Sequence, residues 1–299
     1  MDQLSSTPSL VRMLLLGLLL LLAAQSSTGC AVSPQVKRAA QTLTPSPPST
    51  AGSPVEKGRV RLYGGMGPAL SDVYESPVSS LGDAGLYVPQ YQFLGGLRVG
   101  LHRNLELGLK GVYATYDSTE PSTVGVPPLG PNEQDVVGAG PTLALNFPLG
   151  QSGRVFAGAI VEALWTSIPY SIWQCRTCTE PLPYRDHIEL YSLVEEGREN
   201  YLMWNNALQL GLYLDPAPVT VFGGVGMHST VRNIGFDEHQ DYSSTLEKGS
   251  PVGLFFLGIE IAPVERLNVQ LQGYLPVGQD LDEGQVFGPG FTFNVGLTL

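Results

Sequence analysis

Three groups of residues have the types and spacing to support chemistry. Cys175 and Cys178 form a CxxC within WQCRTC. Such a pair can supply half a zinc site, exchange thiols, or close a local disulfide. The chain holds no second CxxC to complete a zinc set, and Arg176 is the one neighbouring base that would favour a thiolate. A disulfide clamping a loop is therefore expected. The second group is Asp237-Glu238-His239. A carboxylate two residues from an imidazole can orient the ring to take a proton from water. No Gly-x-Ser-x-Gly elbow or phosphate-cradling glycine loop accompanies it. The third group is a set of six charges, Arg61, Arg98 and Lys110 with Glu106, Glu162 and Glu260, which fall on one parity of extended segments. Three bases against three acids predict an interior of ion pairs, because an unpaired buried charge is costly. A narrow ion path through the same six is the competing reading.

The elements that position these residues follow from composition and period. The chain has 299 residues, 27 acids against 16 bases, a net charge of −11 and only 14% charged residues. A shortage of charge with 43% hydrophobic residues excludes an acidic disordered tail, and the shortage of bases excludes a nucleic-acid surface. From Gly58 onward the apolar period is two. Leu267, Val269, Leu271, Leu275 and Val277 share one face, with Asn268, Gln270, Gln272 and Tyr274 on the other. Phe291, Phe293, Val295, Leu297 and Leu299 repeat the pattern at the chain end. Counting in this way predicts ten strands, at 58–67, 88–101, 104–117, 135–149, 154–168, 200–214, 218–231, 251–262, 266–278 and 287–299. Most are as long as the roughly 9–11 residues that a tilted strand needs to cross a bilayer. The connections alternate. Tight turns at His102-Arg103, Gly150–Gly153, Asp215–Ala217 and Pro263–Glu265 are followed by long connections at 68–87, 118–134, 169–199, 232–250 and 279–286.

Short turns at one end and long loops at the other, on an even number of apolar-out strands, resemble the small porin-like outer-membrane β-barrel proteins of diderm bacteria. The resemblance covers residues 58–299. It implies an all-β fold, a closed antiparallel up-and-down transmembrane barrel of about ten strands, with turns in the periplasm and loops outside. Tyr91, Tyr113, Trp165 and Trp204 then fall where an aromatic girdle belongs. The final residue departs from that group's usual Phe or Trp, since Leu299 stands there. A lumen of this size is filled by its own side chains, so the expectation is a plugged barrel that is not an enzyme and needs no cofactor or metal. It would act through its loops on lipopolysaccharide, surface polysaccharide or an envelope protein. Acids such as Asp72, Glu120, Glu196, Asp241 and Asp282 concentrate in those loops, as solubilising charge or as oxygen ligands for divalent cations. A narrow pore is the transport alternative. Asp237 and His239 resemble one half of the ten-stranded omptin proteases' catalytic set, but the facing Asp-x-Asp is absent from the early loops.

The amino terminus carries its own signal. Arg12 precedes an apolar run, Met13–Ala24, too short to span a bilayer and of signal-peptide length. The Gly29-Cys30 pair that follows resembles a bacterial lipoprotein signal, which implies acylation of Cys30. The expected organisation is a signal peptide at 1–29, a lipid-anchored linker rich in Pro, Ser and Thr at 30–57, and the barrel at 58–299. With ten strands both barrel ends fall on the turn side, so the lipid is expected in the periplasmic leaflet.

Overall fold

A computed structural model describes residues 35–43, 45–49, 51–68, 74–75, 84–87, 89, 91–115, 129–132, 134–175, 177–178, 188–233, 246–278 and 287–299. Residues 35–299 form one compact unit. In chain order the strands are β1 (Gln35–Gln41), β2 (Val60–Pro68), β3 (Tyr74–Glu75), β4 (Ala84–Tyr87), β5 (Tyr91–His102), β6 (Leu105–Thr115), β7 (Asp135–Leu149), β8 (Val155–Cys175), β9 (Tyr191–Leu214), β10 (Val219–His228), β11 (Val231–Asn233), β12 (Leu246–Lys248), β13 (Val252–Val264), β14 (Leu267–Val277) and β15 (Gly290–Thr298).

Ten of these make the wall: β2, β5, β6, β7, β8, β9, β10, β13, β14 and β15. Each pairs antiparallel with the next, and β15 returns to β2 with Thr298 opposite Arg61. The sheet therefore closes and leaves no edge. Closure matters because an unpaired N–H or C=O facing hydrocarbon costs several kcal/mol. The expected ten strands coincide with these ten.

The pleat then sorts the side chains. Leu257 (66%), Leu208 (62%), Leu202 and Trp165 (both 60%) stand out from the wall, in the manner of side chains that face lipid. Their strand neighbours point inward and are buried. Leu271, Leu275, Phe291, Phe293, Val295 and Leu297 are exposed as the period predicts, while Gln270, Gln272, Thr292 and Asn294 are buried. An outside that is apolar and an inside that is polar invert the arrangement of a water-soluble barrel.

Two features differ from the sequence-based expectation. The connection 169–199 is largely strand: β8 continues to Cys175 and β9 begins at Tyr191, so a long hairpin stands above the wall. The larger difference concerns the segment expected to be a lipid-anchored linker, residues 30–57. Apart from the exposed Glu56 and Lys57, its described part is packed against the wall or within the lumen. Residues 37–43 and 45–49 are buried, as are Ala51, Gly52 and Val55. β1 pairs antiparallel with the upper part of β8, Gln35 opposite Cys175 and Ala40 opposite Tyr170. There it occupies the position beside β8 that β7 fills lower down, where Val137 pairs with Ser167. Pairing in this way covers an edge that the tall hairpin would otherwise leave open. Polarity misleads here because the cavity is itself polar, so Ser and Thr are suited to its interior.

Candidate functional site

The lumen is where the buried polar groups converge. Each of the six charges expected there is buried, and they form three pairs. Arg98 Nη2 donates to Glu106 Oε2 at 2.5 Å, Lys110 Nζ to Glu162 Oε2 at 2.8 Å, and Arg61 Nη1 to Glu260 Oε1 at 3.4 Å. The first links the two strands on either side of a tight turn, β5 and β6. The second reaches from β6 across β7 to β8, and the third from β2 to β13.

The three acids have a second task. Glu162 Oε1 accepts the backbone N–H of Ser49 at 3.1 Å, Glu260 Oε2 that of Ser53 at 2.9 Å, and Glu106 Oε1 that of Val55 at 3.0 Å. Gln209 Oε1 takes the N–H of Gly52 at 2.9 Å. In return, wall side chains donate to the carbonyls of the same segment. Asn205 Nδ2 reaches Ser46 O at 2.9 Å, Gln270 Nε2 reaches Ala51 O at 2.7 Å, and Arg61 Nη1 reaches Ser53 O at 3.2 Å. Below β1, then, the segment exchanges the backbone partners of a strand for side-chain partners of the wall. This satisfies peptide groups that burial would otherwise penalise.

Local sequence explains why the segment can lie so close. Gly52 has φ of +107°, and a Cβ there would stand 2.6 Å from Glu260 Oε2 and 2.9 Å from Gln270 Nε2. Glycine alone adopts that backbone without strain and leaves the acid room. Ser49 Oγ hydrogen-bonds Tyr63 Oη at 3.0 Å and donates to Glu162 Oε1 at 3.2 Å. Apolar contacts add to the polar ones. Ala40 and Leu43 join a buried cluster with Leu94, Val112, Leu164, Ile168 and Met203, and Ala51 joins another with Ile160, Phe222 and Phe256.

The segment also carries charge to the loop end. The Arg38 guanidinium pairs with Glu199 at 3.1 Å and lies 4.8 Å from the Tyr170 ring centre. Lys37 Nζ lies 5.9 Å from the centre of the Tyr191 ring. Burial pulls the Arg38 guanidinium down to about 10, with Glu199 opposing the shift, so it remains cationic at neutral pH. At the turn end the lumen widens into a cavity of about 690 Å³ lined by Arg59, Arg61, Arg103, Arg154, Glu260 and others. Beside Ser49 and Ala51 a gap of about 20 Å³ remains, which is room for about one water.

Other expected sites are placed as follows. Cys175 and Cys178 are joined, with Cα atoms 5.7 Å apart, near the tip of the β8–β9 hairpin. Cys30, Asp237 and His239 lie outside the described residues, as do Asp72, Glu120, Asp241 and Asp282. Sequence reasoning missed the lumen segment, the amides Asn205 and Gln209 that hold it, and the role of Gln270, of which it read only the parity. Their inward parity on β9 and β14 was a signal that six charges were too few to satisfy the lumen.

No family model matches the chain, and no curated protein matches it. Solved structures do. The translocator domain of the autotransporter NalP from Neisseria meningitidis aligns at 10% identity and TM-score 0.43, over 84% of this chain and 89% of that one. An outer membrane channel from Pseudomonas putida F1 aligns at 10% identity and TM-score 0.41, over 85% and 100%. The outer membrane protease OmpT from Escherichia coli aligns at 13% identity and TM-score 0.36, over 84% and 97%. Closure without an edge, strands of membrane-crossing length and an apolar outer face make this chain a ten-stranded β-barrel of the outer-membrane type.

Proposed function

We propose that the protein is a sealed outer-membrane barrel, closed by its own amino-terminal segment, which works as a structural and interaction scaffold through its loop end. The observation that carries this reading is the capture of Ser49, Gly52, Ser53 and Val55 N–H groups by lumen acceptors. Those bonds occupy the carboxylates that an ion path would need to leave free. The turns face the periplasm in this reading. The β8–β9 hairpin, clamped by Cys175–Cys178, stands at the cell surface with the acidic connections, where lipopolysaccharide, polysaccharide or an envelope protein would be met.

Planar-bilayer recording tests the seal. The full chain should give no unitary steps, and a chain lacking residues 35–55 should give them. Steady unitary conductance from the full chain would overturn the sealed scaffold in favour of the narrow pore.

A further inference from the structure

The lumen segment has a direction. It starts with Gln35 opposite Cys175 at the far loop end of β8. Ser49 is level with Glu162, midway along that strand. Val55 reaches Glu106, one residue into β6 from its tight turn, and Lys57 bridges to Gly100 near the same turn. β2 then begins at Val60 on the turn side. The chain has crossed the full height of the barrel once before the first wall strand.

We infer that the protein is threaded from the loop side, so that Gln35 stands at the face that carries the long loops, opposite the four tight turns. Strand counting from the wall alone leads to the other answer. Ten crossings return the chain to its starting side, and the threaded segment makes an eleventh.

The test compares sidedness within one full-length protein, made in the outer membrane of a diderm host. An epitope is inserted between Ser33 and Pro34, in the Gly150–Gly153 turn, or after Asp241, one per variant. Each variant is checked for the mobility shift on boiling that marks a folded barrel. The epitope before Pro34 should stain on intact cells together with the one after Asp241, while the turn epitope stains only after permeabilisation. If the epitope before Pro34 instead stays silent until permeabilisation, as the turn epitope does, the threading direction is wrong. Neither result depends on whether the lumen conducts, which the bilayer recording decides separately.

Discussion

Lys110 Nζ stands 2.8 Å from Glu162 Oε2, and both side chains are shut away from solvent. The other oxygen of the same carboxylate receives Ser49 from the lumen segment. One acid thus ties β6, β8 and the segment together. Glu162→Gln would leave the Lys110 cation buried without its counter-charge. The expected loss is about 3–5 kcal/mol, measured as a lowered urea midpoint for barrels folded into lipid vesicles. The double change Lys110→Met with Glu162→Gln should cost less than Glu162→Gln alone. A double variant as unstable as the single would show that the pair's charge is not what matters.

Gly52→Ala brings a methyl group toward Glu260 and Gln270 and strains the backbone at φ of +107°. The wall does not depend on this residue, so the barrel should still form. The amide hydrogens of Ser49, Ser53 and Val55 should exchange slowly in the parent protein and at least about tenfold faster in the variant, equivalent to about 1.4 kcal/mol. Equal exchange in both would mean the segment is not held at this point.

Leu208 is 62% exposed on the outer wall, and its inward neighbour Gln209 is buried against the segment. Leu208→Arg should destabilise the protein in vesicles by about 2–4 kcal/mol, the cost of a cation near the bilayer midplane. A neutral effect would mean that this face meets water.

Cys175→Ser opens the link to Cys178 near the hairpin tip, far from the lumen pairs. Limited trypsin treatment should cut faster between Cys175 and Tyr191. The mobility shift on boiling should persist, because wall closure does not involve this link. Loss of the folded band would place the disulfide in the stability of the barrel itself.

The wall was legible because its two environments alternate with the pleat. Leu271 against Gln272 and Phe293 against Asn294 record lipid on one side and lumen on the other. The same parity located Arg61, Arg98, Lys110, Glu106, Glu162 and Glu260. The lumen segment was not legible, because burial in a polar cavity selects no hydrophobic period. Ser46, Ser49 and Ser53 would look the same in water, and the groups by which the wall holds the segment are peptide N–H and C=O, which every residue but proline supplies. The upper part of β8 escaped notice for a local reason. Pro169 resembles a strand end, yet it continues in register opposite Arg198.

The segment's direction ties the filling of the barrel to its wall. Residues 35–55 descend the barrel and β2 climbs it, joined only by the few residues between them, so the thread and the first stave are neighbours in sequence. The seam of β15 against β2 closes the wall around that segment. With the segment seated, the bore keeps room for about one water beside Ser49 and Ala51. Bung and cask are thus one continuous piece.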